Sequence, residues 1–163
     1  MRQETMRFME KIGYRFRNPA LLENALTHSS YANEGHHGME SNERLEFLGD
    51  SVLGFVTAGY LFEKETGPEG MLTKLRAALV CEKALCSYAQ LLGLGAYLLL
   101  GKGEQRSGGA ERPSILADAF EAVIAAIYLD GGLEPVRAFI LPYLEQEASN
   151  PGAWNTIAHL YAQ

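Results

Sequence analysis

The sequence predicts an all-α fold in a single globular unit. Apolar residues recur three and four positions apart along most of the chain, and this spacing is typical of amphipathic helices. Residues that alternate between apolar and polar over the length of a strand are scarce. The chain has 163 residues, of which 47% are hydrophobic, and a chain of this size can bury one core.

Glycine and proline residues separate six predicted helices. We expect these helices to cover residues 3–11, 19–27, 42–65, 69–92, 114–130 and 135–148. Gly67 and Pro68 separate the third helix from the fourth, and Pro113 opens the fifth. Pro142 falls inside the sixth helix, where we expect a kink because proline removes a backbone hydrogen bond.

Residues 101–109 form the one long stretch that we expect to be flexible. The stretch reads GKGEQRSGG and carries two cations, Lys102 and Arg106, beside its glycines. Loops of this kind often contact ligands, and a mobile solvent loop without such a role is an equally good interpretation.

Charge taken alone argues against a nucleic-acid partner. The chain has 14 Lys and Arg against 20 Asp and Glu, a net charge of −6, whereas nucleic-acid binders are usually basic. Two bound divalent cations would bring the net charge to about −2, so charge does not decide the matter. The sequence has no continuous apolar run long enough for a membrane span and no signal-peptide pattern. We therefore expect a cytoplasmic protein without a membrane partner.

Cysteines and histidines give weak signals. Cys81 and Cys86 lie five residues apart in a predicted helix, which fits neither a disulfide framework nor a zinc site, and we expect both thiols to be buried. We interpret the polar stretch around His36 and His37 as a solvated loop. His28 follows the second predicted helix, whose terminal carbonyls it can contact. No histidine is assigned a catalytic role.

Three acids share one face of the third predicted helix. At about 100° per residue, Glu43, Glu46 and Asp50 fall within an arc of roughly 60°. The opposite side carries an apolar stripe predicted to face the core, namely Leu45, Leu48, Val52, Phe55 and Val56. Like charges at these spacings repel one another, and no Lys or Arg stands four residues beyond any of the three acids. A cation from elsewhere is implied.

A second pair of acids interrupts the fifth predicted helix. Asp118 and Glu121 lie three residues apart in an otherwise apolar segment, and no Lys or Arg occurs between Arg112 and Arg137. Burying this pair without a counter-charge would be costly, whereas a hard divalent ion with oxygen ligands would resolve the repulsion. Both groups of acids could share one ion site.

These acids also have ordinary explanations. Glu43 and Asp118 lie in the first turns of their helices, where a carboxylate interacts well with the helix dipole, and for either residue alone we favour that explanation. Glu46, Asp50 and Glu121 lie deeper in their helices, so the main alternative for them is a salt bridge between helices. For these three acids metal binding is the better interpretation.

Residues 42–53, NERLEFLGDSVL, resemble the signature of the ribonuclease III family. Three further segments agree with that family in order and spacing: ALTHSSY at 25–31, EGMLTKLRA at 69–77 and PSILADAFEA at 113–122. The resemblance covers residues 5–147. It implies the helical endonuclease-domain fold of that family over residues 1–148, followed by a short C-terminal tail or the start of a linker at 149–163. Bacterial members usually continue into a double-stranded RNA-binding domain, for which this segment is too short.

The resemblance also implies a site and a reaction. Glu46, Asp50, Asp118 and Glu121 would bind metal and carry the catalysis, with Glu43 and Glu69 as supporting acids. Mg²⁺, or Mn²⁺ as a substitute, would drive phosphodiester hydrolysis in double-stranded RNA. The products would carry 5′-phosphate and 3′-hydroxyl ends with short 3′ overhangs, in the processing of RNA that includes ribosomal RNA.

The implied partners are an RNA duplex and a second copy of the chain. A homodimer would place Phe47 near the subunit contact, and Lys102 and Arg106 are the expected phosphate contacts. A catalytically silent RNA-binding or assembly scaffold of the same fold is the alternative, and the presence of all six acids argues against it. A third possibility is an acidic interaction protein in which Lys74 and Arg76 pair with the acids.

Overall fold

The computed structural model describes residues 1–35, 38–150 and 152–161. Within these ranges the chain forms ten α-helices, two short 3-10 helices and no strand. The α-helices are α1 (Gln3–Ile12), α2 (Pro19–Ala25), α3 (Ser29–Ala32), α4 (Glu43–Lys64), α5 (Glu69–Val80), α6 (Glu82–Leu92), α7 (Lys102–Arg106), α8 (Pro113–Gly131), α9 (Leu133–Ala148) and α10 (Ala153–Leu160). The all-α prediction is confirmed. The loop expected at His36 and His37 lies outside the described residues.

The predicted helix over residues 69–92 is in fact two helices. Between α5 and α6 the backbone of Cys81 is extended, with φ −68° and ψ 163°. The buried hydroxyl of Tyr88 donates to the Leu79 carbonyl at 2.8 Å, which satisfies one of the carbonyls left free at the end of α5. Cys81 is exposed, so the expectation of two buried thiols is correct only for Cys86.

Residues 101–109 are also more ordered than predicted. Lys102–Arg106 forms α7, and a 3-10 helix follows at Gly109–Glu111. The Arg112 guanidinium pairs with the Glu104 carboxylate and closes this segment on itself. Gly101 is buried, and a Cβ there would lie 2.6 Å from the carbonyl oxygen of Ser30. The glycine at 101 therefore permits close packing, and the prediction of one long flexible stretch is wrong.

Helix α8 runs through the centre of the molecule and packs against α2, α4, α6 and α9. Nearly all its residues between 115 and 127 are buried, Asp118 being the exposed exception. Phe120 stacks on Phe139 of α9 with ring centroids 5.3 Å apart and contacts Tyr88 of α6 at 5.7 Å. These contacts hold in place the helix that carries Asp118 and Glu121. Helix α9 continues through Pro142.

Helix α4 has a buried side and an exposed apolar side. Leu45, Val52 and Val56 are buried as predicted. The prediction that Phe55 belongs to the core stripe is wrong, because its side chain is 60% exposed. Phe55 lies at the edge of the stripe, about 20° from exposed Phe62 on a helical wheel. By length and composition alone, α4 is also long and apolar enough to cross a membrane, a test that the core helix of a globular protein often passes.

Residues 149–163, expected to be a tail or the start of a linker, include a helix that packs on the domain. Helix α10 contacts α5. Trp154, Ile157 and Tyr161 follow one another at helical spacing and pack against the core. The Lys74 ammonium lies over the ring of Tyr161, 5.4 Å from its centroid. The segment is attached through an apolar face that the sequence analysis did not identify.

Candidate metal centre

Helices α4 and α8 bring together carboxylates that the sequence predicted from two separate segments. Oxygen atoms of Glu46, Asp118 and Glu121 lie within 4.8 Å of one another. The carboxyl group of Asp50 lies within hydrogen-bonding reach of Glu121. The four predicted core acids therefore form one cluster, and its oxygen ligands suit a hard divalent ion such as Mg²⁺.

The cluster has a buried floor and an open side. Glu121 is only 5% exposed, whereas Asp50 and Asp118 face solvent and Glu46 is half-buried. A cation held here could keep part of its coordination sphere for water or for a phosphate oxygen, as Mg²⁺ usually does in proteins. The geometry thus fits a reacting site better than a closed structural one.

Burial and mutual repulsion change the proton affinity of these acids. Burial, followed by the hydrogen bond to Asp50 and the charges of Asp50, Glu46 and Asp118, raises the pKa of Glu121 to about 9. Burial and neighbouring carboxylates also raise the pKa of Glu46 and of Asp118. Without a metal, Glu121 is therefore protonated at neutral pH. A divalent cation would displace that proton, because its charge favours the carboxylate form.

The salt-bridge interpretation of the acids finds no support in the described residues. Their one ion pair between Lys or Arg and a carboxylate joins Arg112 to Glu104, outside the cluster. Lys74 lies instead over Tyr161 of α10. No lysine or arginine of the described residues is therefore paired with the cluster, which is compatible with a bound cation.

The supporting acids fall into two places. Glu43 lies close enough to the cluster to raise the pKa of both Glu46 and Asp118. Glu69 accepts a hydrogen bond from the Thr73 hydroxyl at 2.6 Å. It lines a depression of about 230 Å³ with Phe62 and Arg76, beside the exposed face of α4. The contacts of the described residues do not join Glu69 to the four core acids within one chain.

Sequence reasoning missed three residues that shape this site. Gly49 stands where α4 meets α8, and a Cβ there would lie 1.8 Å from the Glu121 carbonyl oxygen. A glycine inside a helix costs stability, which is the signal that could have identified it. Asn42 is buried and donates from Nδ2 to the Ala25 carbonyl at 3.0 Å. Glu82, in the first turn of α6, raises the pKa of Asp118.

His28 contacts a different helix from the one that was predicted. Its Nδ1 accepts from the backbone N–H of Ser30 at 3.1 Å and so caps the start of α3, the helix that follows it. The predicted contact with the end of the preceding helix is wrong. His28 also lowers the pKa of Asp118, against the larger effect of burial, and therefore lies near the cluster.

An all-α fold with a carboxylate cluster between two packed helices is compatible with a helical metal-binding domain. A protein-family model described as Ribonuclease-III-like matches residues 18–147. The Ribonuclease 3 of Pseudothermotoga lettingae is 52% identical over 146 residues, which are 86% of this chain and 61% of that protein. The Ribonuclease 3 of Bacillus cereus is 51% identical over 158 residues, which are 96% and 64% of the two chains.

A solved structure agrees with these sequence relatives. The nuclease domain of ribonuclease III from Campylobacter jejuni superposes with a TM-score of 0.78 at 44% identity, over 86% of this chain and 95% of that one. That structure is described as flexible in a region involved in dimer formation. The present chain belongs to the ribonuclease III family. It spans about 61% of the length of the Pseudothermotoga relative.

Proposed function

We propose that this chain is an endoribonuclease domain that hydrolyses double-stranded RNA with the help of Mg²⁺, or of Mn²⁺ as a substitute. The observation that supports this most strongly is the convergence of Glu46, Asp118 and Glu121 within 4.8 Å, with Asp50 beside Glu121. Membership of the ribonuclease III family supports the same reaction class. Its cellular role would be cytoplasmic RNA processing, ribosomal RNA included.

The four acids contribute to the reaction by position and charge. An ion held by them would supply a water of lowered pKa and stabilise charge on the phosphate. Glu121 holds its ligand oxygen from the buried side, on a helix fixed by core packing. Asp50 and Asp118 act from the open side, where the phosphate would enter. Hydrolysis would leave 5′-phosphate and 3′-hydroxyl ends, with short 3′ overhangs when both strands are cut.

Substrate recognition would rest on the shape and backbone of the duplex. Side chains cannot read the narrow major groove of A-form RNA, so phosphates and 2′-hydroxyls are the available contacts. Lys102 and Arg106 are both exposed on α7. The Glu34 carboxylate accepts from the Lys102 backbone N–H at 2.7 Å and helps to hold α7 in place. These two cations are the proposed phosphate contacts.

Cutting of a defined duplex tests the proposed function. With Mg²⁺ at low salt we expect the wild-type chain to cut a long RNA duplex, and with EDTA we expect no cutting because the acids then lack their cation. Sequencing of the product ends should find 5′-phosphates. A single strand of the same sequence is the matched control. No cutting with Mg²⁺ or Mn²⁺ by a chain that binds the duplex would favour the silent RNA-binding scaffold.

We also propose that the chain acts as a homodimer through the exposed side of α4. Phe47, Phe55 and Phe62 are 77%, 60% and 77% exposed. At about 100° per residue they lie within an arc of roughly 80°, and large apolar side chains grouped on one exposed face are typical of interaction sites. The Campylobacter jejuni relative, whose description mentions dimer formation, supports this assembly. Phe47 would lie near the subunit contact.

Replacing Phe62 by aspartate is expected to convert the dimer into monomers, because a charge would be buried in the contact. Sedimentation equilibrium measures the association constant, which we expect to fall by about a hundredfold or more. Leu129→Asp is the matched control, since Leu129 is 51% exposed but lies on α8. A wild-type chain that sediments as a monomer at tens of micromolar would contradict the proposal.

A further inference from the structure

His28 connects two parts of the structure that the proposed function uses. The carbonyl of Thr27, its neighbour, accepts from the backbone N–H of Asn42 at 2.8 Å, directly before α4. The backbone N–H of His28 donates to the Leu99 carbonyl at 3.0 Å, two residues before Gly101 and α7. His28 therefore lies between the start of α4, which carries Glu46 and Asp50, and the start of α7, which carries the two proposed phosphate contacts.

Hydrogen bonds fix which ring nitrogen of His28 carries the proton. The backbone N–H of Ser30 donates to Nδ1 at 3.1 Å, so Nδ1 has no hydrogen of its own. The Ser30 hydroxyl accepts from the backbone N–H of Gly101 at 2.8 Å and lies 2.8 Å from the same Nδ1, to which it can donate. In this neutral ring the proton must be on Nε2.

The Nε2–H group has no acceptor among the residues that the structure describes, where the ring's bonds to Ser30 both involve Nδ1. The half-buried side chain is near enough to Asp118 to influence its carboxylate electrostatically. With its hydrogen on Nε2, the ring presents a donor that can bind an anionic oxygen near this carboxylate. A lysine or arginine here would compete with the divalent ion for that carboxylate.

We propose that His28 donates its Nε2 hydrogen to a non-bridging phosphate oxygen of the RNA strand beside the acid cluster. The inference rests on the proposed function, because its ligand is the strand that the acids would cut. Neutral side-chain donors commonly contact nucleic-acid phosphates and fix the register of the backbone. The contact would also couple the cluster to α7, since Ser30 and Gly101 belong to the same chain of hydrogen bonds.

Two substitutions separate this contact from the helix cap. His28→Asn keeps an acceptor at the position of Nδ1, and asparagine is a good N-cap, but it has no donor at the position of Nε2. His28→Gln can place an amide donor near the Nε2 position and loses the cap acceptor. We expect H28N to melt within a few degrees of the wild type and to cut the duplex with a kcat/KM about tenfold to a hundredfold lower. H28Q should melt lower but recover part of that loss.

Duplex binding provides a readout that does not depend on a loaded metal site. In EDTA at low salt, fluorescence anisotropy with a labelled duplex should give a Kd several-fold weaker for H28N than for the wild type. Equal cutting and equal binding by H28N and the wild type would overturn the inference and leave the proposed function intact. If the loss of cutting instead parallels the fall in melting temperature, so that H28Q cuts more slowly than H28N, His28 acts only as a helix cap and the inference is overturned. A wild-type chain that cuts no duplex removes the proposed function and this inference with it.

Discussion

Replacing Glu121 by glutamine is expected to stabilise the metal-free protein at alkaline pH. The pKa of Glu121 is raised from its ordinary value of 4.5 to about 9, first by burial and then by the hydrogen bond and charges of its acidic neighbours. Between these values the folded protein binds more protons than the unfolded chain, so the free energy of unfolding falls as pH rises. Thermal unfolding in EDTA between about pH 5.5 and 8.5 should show that slope in the wild type and a smaller slope in E121Q.

In E121Q part of the pH dependence of unfolding remains, because the pKa values of Glu46 and Asp118 are raised in the same direction. With Mg²⁺ present, E121Q is expected to be less stable than the wild type instead of more stable. Mg²⁺ should stabilise the folded wild type by binding to it alone, and E121Q should lose that stabilisation together with about a thousandfold or more of the cutting rate. Glu63→Gln, exposed on α4, is the control and should change neither property. Undiminished stabilisation of E121Q by Mg²⁺ would place the cation elsewhere.

Replacing Gly49 by alanine is expected to destabilise the fold and disrupt the acid cluster together. The added Cβ would lie 1.8 Å from the carbonyl oxygen of Glu121 and 2.6 Å from its carbonyl carbon. These are backbone atoms, so α4 and α8 must separate, and overpacking of this kind costs about 1–3 kcal/mol. Urea unfolding measures the loss. Because the helices carry the acids, stabilisation by Mg²⁺ should fall as well.

Gly59 provides the matched control for Gly49 on the same helix. A Cβ at Gly59 meets no atom within 4 Å, so Gly59→Ala should stabilise the protein by about 0.5–1 kcal/mol through helix propensity alone. Equal effects of the two substitutions would contradict the close approach of α4 to α8.

The core acids could be predicted because their signal is local. Glu46, Asp50 and Glu121 stand inside largely apolar helical segments with no Lys or Arg four residues beyond them, and helical periodicity is enough to assign them to helix faces. The repulsion within each segment indicated a missing positive charge. The structure adds the packing of α4 on α8, which brings acids from segments about seventy residues apart into one cluster.

The features that sequence reasoning missed depend on contacts between distant residues. The end of α5 at Val80 has no glycine or proline, and the Tyr88 hydroxyl that bonds to Leu79 comes from the next helix. Phe55 follows the apolar period of α4, but periodicity does not tell whether anything covers a residue at the edge of the stripe. In the sequence Gly101 looks like a flexible glycine, whereas in the structure the backbone of Ser30 lies directly against it.

Anomalous scattering from Mn²⁺ in crystals of this chain tests the central claim most directly. The claim is that the acids of α4 and α8 form a divalent-cation site, and it predicts an anomalous peak among the carboxylates of Glu46, Asp50, Asp118 and Glu121. The peak should be absent from E121Q crystals grown in the same way. If a preparation that cuts duplex RNA shows anomalous Mn²⁺ peaks only outside these four carboxylates, the claim is contradicted.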